Sequence, residues 1–81
     1  MTAALIAAQW RAGRALAGLS QSALAEKVGV VVLTIKRMES GAGNVSEDVR
    51  RRARRALESA GIEFIEANGG GPGVRLRKGG A

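Results

Sequence analysis

Arg50, Arg51, Arg52, Arg54 and Arg55 crowd five guanidiniums into one short stretch, and Lys36 with Arg37 makes a second basic pair. A guanidinium stays charged at every physiological pH and offers a planar fork of donors that suits phosphate or carboxylate oxygens. The chemistry open to these residues is anion binding. Thirteen Lys and Arg stand against seven Asp and Glu, a net charge of +6, the balance of a chain that meets phosphates or an anionic surface. Charge by itself leaves nucleic acid, a membrane face and a merely solvated basic face on equal terms.

What the sequence lacks narrows the choice. It has no cysteine and no histidine, which excludes disulfides and removes the residues most used for zinc binding and for proton transfer near neutral pH. The carboxylates and serines show no pairing with a base that would create a nucleophile or an acid–base couple. The reading is a protein that is not an enzyme and needs no metal or cofactor. Its N-terminal stretch is Ala-rich, free of acids and carries Arg11 and Arg14, the composition of a transit peptide. Leu5, Ile6, Gln9, Trp10 and Leu16 also read as one face of a core helix, and that reading is adopted. No uninterrupted apolar run is long enough to span a bilayer. A cytoplasmic, nucleoid-associated protein without membrane contact is expected.

The elements that must position the cations can be read from punctuation. A chain of 81 residues has room for one core, and a domain so small buries only roughly 60% of the surface its unfolded chain exposes. It gains from a partner subunit, so a homodimer is expected. Glycines fall where helices need positive φ to stop. A first helix is predicted over residues 3–17, ending at Gly18. A second, capped by Ser20, covers residues 21–28 with Leu24, Ala25 and Val28 inward, and Gly29 breaks it. The third covers residues 32–40, lacks a good cap, turns Ile35, Met38 and Glu39 one way and Lys36 and Arg37 another, and stops at Gly41. In the fourth, Val49, Ala53, Ala56, Leu57 and Ala60 repeat at helical spacing behind Ser46 as cap and Glu47 and Asp48 in the first turn, up to Gly61.

Beyond Gly61 the period changes. Ile62 and Phe64 alternate with Glu63, and Val74 and Leu76 with Arg75 and Arg77, which predicts a β-hairpin turning over residues 68–72. Pairing across that turn sets Phe64 opposite Leu76 and Glu63 opposite Arg77. A lone two-stranded hairpin is marginal. It must lie on the helices or on its twin in a second subunit.

Two short helices joined by a tight glycine turn, over residues 20–28 and 32–40, have the spacing of a helix-turn-helix. In that motif the first helix crosses the nucleic-acid backbone and the second lies in the major groove, where each base pair presents a distinguishable edge. Leu19, Gln21, Leu24, Ala25, Gly29, Val30, Thr34, Ile35, Glu39 and Gly41 resemble the phage-repressor and Cro-like helix-turn-helix family, also called the xenobiotic-response-element family. The resemblance runs over residues 14–41 and extends loosely through the fourth helix. It implies a mainly α, lambda-repressor-like fold. Residues 1–61 would form a four-helix helix-turn-helix DNA-binding domain, and residues 62–81 a C-terminal β-hairpin and tail that is a candidate dimerisation element.

The resemblance also implies residue roles. Gln21 matches a position whose side chain and amide meet a DNA phosphate at the positive end of the second helix. Arg14 and Glu39 match a buried ion pair that ties the first helix to the third, a structural role. Arg37 matches a base-reading position, where a guanidinium can grip guanine O6 and N7 together. Thr34, Lys36 and Asn44 match phosphate contacts, with plain solvent exposure as the rival reading for Lys36.

The chain departs from the family at the start of the third helix, where polar residues are usual and Val31, Val32 and Leu33 stand. Val32 and Leu33 match groove-facing positions, and as apolar groups they can contact only thymine methyls. The other reading is an exposed apolar patch for a protein partner. The fourth-helix arginines, Arg50, Arg51 and Arg54 above all, are candidates for phosphates flanking the groove or for a solvated face, and Arg75, Arg77 and Lys78 for an extension of that surface unless Glu63 and Glu66 occupy Arg75 and Arg77. The expected function is a sequence-specific, double-stranded-DNA-binding transcriptional regulator, a dimeric repressor on a palindromic operator, with RNA polymerase as a further candidate partner. The alternative is a protein-interaction module, an antitoxin or anti-regulator, that keeps the fold and uses the apolar start of the third helix.

Overall fold

The computed structural model describes residues 5–41, 44–67 and 69–77. It is mainly α, with four helices followed by one hairpin: α1 Ala7–Leu16, α2 Gln21–Val28, α3 Val32–Ser40, α4 Glu47–Ser59, β1 Ile62–Ile65 and β2 Gly73–Leu76. The expected helix start at Ala3, the turn residue Asn68 and the basic residue Lys78 lie outside the described residues.

Local chemistry sets the helix ends. Ser20 Oγ accepts the Ala23 N–H at 3.0 Å and Ser46 Oγ accepts that of Val49 at 3.2 Å, each relieving an amide that a helix start leaves orphaned. Val31 precedes α3 without a side-chain cap. Gly29 and Gly41 close α2 and α3 at φ 85° and 75°, where any other side chain would be strained.

The first helix corrects two expectations. It begins at Ala7, because Ile6 turns extended and gives its N–H to Gln9 Oε1 at 3.0 Å, so a side chain three residues on ends the helix there. Its buried side is Gln9, Trp10 and Gly13, while Ile6 and Leu16 are exposed. Those two stand at the ends of the helix, past the elements that cover its middle. Gly13 sets the inward side, since a Cβ on it would come within 3.2 Å of the Phe64 ring. Trp10 meets that ring edge-on, with centroids 5.7 Å apart.

One core joins helices and hairpin. Leu24, Ile35, Leu57 and Ile62 are fully buried within it. α1 packs on α3 and both strands, α2 on α3 and α4, and β1 also on α4. The marginal hairpin is thus stabilised by the helices it covers.

The register differs from the expected one. Ile62 pairs with Leu76, Glu63 with Arg75, Phe64 with Val74 and Ile65 with Gly73, so Phe64 does not face Leu76 nor Glu63 Arg77. The slip is two residues, which keeps every side chain on its expected face and changes only its partner. Gln9 fixes the true register. Buried in the sheet's shadow, its Nε2 donates to the carbonyls of Ile65 at 3.0 Å and Gly73 at 3.1 Å. Arg75 Nε then meets Glu63 Oε1 at 2.8 Å. Arg77 instead gives its backbone N–H to the Gly61 carbonyl at 2.7 Å and its Nη2 to the Glu58 carbonyl at 3.0 Å, where a cation suits the end of α4.

Candidate nucleic-acid interface

A single buried carboxylate orients α3. Glu39 is 2% exposed. Arg14 donates from Nε to its Oε2 at 2.6 Å and from Nη2 to its Oε1 at 3.0 Å, and from Nη1 to the Leu19 carbonyl at 3.0 Å. Gln21 Nε2, at the start of α2, donates to the same Oε1 at 3.1 Å. Arg11 Nη1 donates to the Glu39 backbone carbonyl. The bonds to Glu39 raise the pKa of Arg14, with a further charge attraction, against the opposing effect of burial. Charge-assisted, two-pronged bonds of this kind fix angles as well as distances. α1, α2 and α3 are therefore locked together behind α3.

The opposite side of α3 is bare. Val31 is 70% and Leu33 50% exposed, and Lys36, Arg37 and Ser40 are exposed with them. Leu33, Lys36 and Arg37 stand at helical spacings of three and four and so share one face. Among the described residues, neither Lys36 nor Arg37 pairs with a carboxylate. Thr34 is half-buried, Asn44 is exposed in the loop beyond, and Val32 packs against the core. Of the two apolar groove candidates, Leu33 is the outward one.

At the start of α2 the Gln21 side chain is half-buried on Glu39. Ser20 caps the third amide of the helix, and among the described residues the amides of Gln21 and Ser22 have no bonding partner. Two free amides at a positive helix end make a seat for an anionic oxygen. It is the backbone here, more than the Gln21 side chain, that is available to a phosphate.

The basic run on α4 divides. Arg52 Nη1 donates to the Val28 carbonyl at 2.9 Å and its Nε to Asp48 at 3.1 Å, closing the end of α2. Arg54 meets Glu58 at 3.1 Å and lies 5.6 Å over the Phe64 ring. Arg50 is half-buried, with its Nε buried and unbonded. Arg51 is exposed and only 3.7 Å from Asp48, while Arg55 is exposed and, among the described residues, unpaired. Of the sequence candidates Arg50, Arg51 and Arg54, only Arg51 is on open surface. Arg55 joins it.

Sequence reasoning placed Gln9 on the core face of the first helix and Arg52 in the basic run, but missed the bonds that Arg11, Arg52 and Gln9 make to backbone carbonyls. Arg11 lies three residues before Arg14 on the same helical face, a signal that was present. The other two act on carbonyls distant in the chain and leave no local trace. Among the described residues no group of acidic side chains could hold a metal ion, and no helix is long and apolar enough to cross a membrane.

The sequence pattern of a family described as helix-turn-helix matches residues 11–58. Those residues run from Arg11, which bonds the α3 backbone, to Glu58 near the end of α4. No curated protein matches the chain.

Proposed function

Since the chain belongs to the phage-repressor and Cro-like helix-turn-helix family of DNA-binding regulatory domains, we propose that it is a sequence-specific transcriptional repressor that acts as a dimer on a palindromic operator. The observation that carries this reading is the division of α3. Its inner side is fixed by Glu39 and Arg14, and its outer side presents Leu33, Lys36 and Arg37 unpaired.

Each role then follows from chemistry. Arg37 grips guanine through O6 and N7, and Leu33 packs on a thymine methyl. Thr34, Lys36 and Asn44 meet phosphates, as do the free amides of Gln21 and Ser22. Arg51 and Arg55 add flanking charge. Two copies set their α3 helices into successive major grooves about 34 Å apart, so the operator mirrors the two-fold of the protein. The helix-turn-helix belongs to residues 1–61, and the pairing surface to the hairpin region over residues 62–81. Repression works by occluding a promoter, that of the protein's own gene being the simplest, and the protein works at the nucleoid.

The test is fluorescence anisotropy with the gene's own upstream DNA and a scrambled duplex across a salt series, for wild type and Arg37→Ala. The upstream DNA should bind at least about a thousandfold tighter, and Arg37→Ala should remove most of that margin. Absence of binding at low salt overturns the proposal. A second reading rests on the exposure of Val31 and Leu33, an apolar patch that would suit an antitoxin or anti-regulator binding a protein. The lack of DNA binding would favour it.

A further inference from the structure

The two ends of α3 are held by different means. The C-terminal end is fixed at Glu39, whose carboxylate takes side-chain bonds from Arg14 and Gln21 and whose backbone carbonyl takes one from Arg11. The N-terminal end has no such knot. Val31 enters the helix extended and without a side-chain cap, after a turn in which Gly29 stands at φ 85°. Among the described residues, the one side chain that hydrogen-bonds to this turn or to the carbonyl that opens it is Arg52 of α4, whose Nη1 donates to the Val28 carbonyl at 2.9 Å. No backbone N–H among them takes that carbonyl. It is one of those a helix end leaves orphaned, and a cation suits the negative end of α2. Nε of the same guanidinium donates to Asp48, one turn back on α4, at 3.1 Å. The planar fork thus spans two helices at a fixed angle.

We propose that Arg52 is a positioning residue for base reading: it touches no base, and through the Val28 carbonyl it sets the angle at which the start of α3 meets DNA. The proposal rests on the DNA-binding reading. α2 packs on both α3 and α4, so a tether from α4 to the last carbonyl of α2 acts at the joint about which α3 would turn. In a recognition helix the N-terminal residues meet the base edges. Leu33 stands next to that joint, and Arg37 lies one turn further on, toward the Glu39 knot. A binding group has to be held within about 0.5 Å of its productive place, so loosening the joint costs the Leu33 contact first and leaves that of Arg37. Of the two arginines beside Asp48, Arg51 at 3.7 Å keeps its nitrogens for a phosphate, while Arg52 at 3.1 Å has its fork engaged. Neighbours in one basic run therefore do different work, one by charge and the other by geometry.

The test joins amide hydrogen exchange without DNA to anisotropy titrations of the gene's own upstream duplex and a scrambled duplex over a salt series. Arg52→Met keeps the apolar stem and removes the fork. The Gly29 and Val30 amides, bonded to the Ala25 carbonyl, and the Thr34 amide, bonded to that of Val31, should exchange about tenfold faster. The helical circular dichroism spectrum and the exchange at the Glu39 end of α3 should stay as in wild type. Affinity for the upstream duplex should fall about tenfold, the size of one spoiled base contact, with the scrambled duplex bound as before and the salt slope unaltered. Arg51→Met is the contrast: it should weaken both duplexes alike, lower the slope by about 0.9 and leave the exchange untouched. Unchanged exchange at the turn in Arg52→Met overturns the clamp whatever the DNA result. A slope lowered as in Arg51→Met makes Arg52 a phosphate contact and overturns its positioning role. A wild type that selects no DNA overturns the functional reading and the base-reading role with it, while the exchange result still shows whether the clamp exists.

Discussion

Arg14 holds Glu39 through two nitrogens, Nε on Oε2 at 2.6 Å and Nη2 on Oε1 at 3.0 Å, and neither carboxylate oxygen has much water to fall back on. Removing the cation leaves a buried charge without its partner, which costs about 3–5 kcal/mol. Arg14→Met should lower unfolding free energy in urea by that amount, a large share of what so small a domain has. Glu39→Gln keeps the shape and should cost less in combination with Arg14→Met than the sum of the two alone. A loss below about 1 kcal/mol for Arg14→Met would show the pair to be dispensable.

In the proposed reading Leu33, half exposed on α3, offers the groove an apolar contact and no hydrogen bond. Uracil lacks the C5 methyl group by which thymine differs from it in the major groove. Replacing the contacted thymine by uracil in the operator should weaken wild type, and Leu33→Ala should be indifferent to the same change. Equal losses for both proteins would place the Leu33 contact elsewhere.

Gln9 bonds two half-buried carbonyls and one amide at once. Gln9→Met keeps the volume and removes these bonds, at about 0.5–1.5 kcal/mol each. Hydrogen exchange should show the amides of β1 and β2 losing protection first, while α2 and α3 keep theirs. Uniform loss across the domain would mean that the hairpin and helices open as one unit.

Gly13 is where α1 and the hairpin come closest. A Cβ at that position would lie 3.2 Å from two carbons of Phe64 and 3.5 Å from Leu57, although alanine is the better helix former. The ring is held between Trp10 and Arg54 and has little room to move. Gly13→Ala should therefore destabilise by about 1–3 kcal/mol, read as a lower melting temperature. A rise would show that propensity outweighs the crowding.

Arg75 holds the Glu63 carboxyl below the usual carboxylate range, by its hydrogen bond first and its charge second. A carboxyl whose folded pKa is depressed adds stability above its unfolded pKa and loses it as pH falls through the folded value. Chemical-shift titration should find Glu63 protonating at lower pH than in the Arg75→Met variant. Identical midpoints would show the pair to be absent in solution.

The helix ends were legible because glycine and serine act locally: Ser20, Ser46, Gly29 and Gly41 do their work within three residues of where they stand. The faces of β1 and β2 were legible from alternation, but their register was not. A slip of two residues leaves the alternation intact, and the side chain that decides between registers is Gln9, far back in α1. The outward chemistry of α3 could be read from spacing, since Leu33, Lys36 and Arg37 lie within one turn. The division of the α4 arginines could not. Arg52 and Arg54 are drawn inward by a carbonyl of α2 and a ring of β1, partners that periodicity within α4 does not reveal.

The bonds from Gln9 to Ile65 and Gly73 join residues 56 and 64 positions apart. At ribosomal speeds of about 5–20 residues per second, the first helix waits roughly 3–13 s for the segment that completes it. α2 and α3 are made in full during that interval, while the sheet that shelters Trp10 and Gly13 does not yet exist. Until Gly73 has been made, the helices of the helix-turn-helix therefore exist without the sheet whose carbonyls anchor α1 through Gln9.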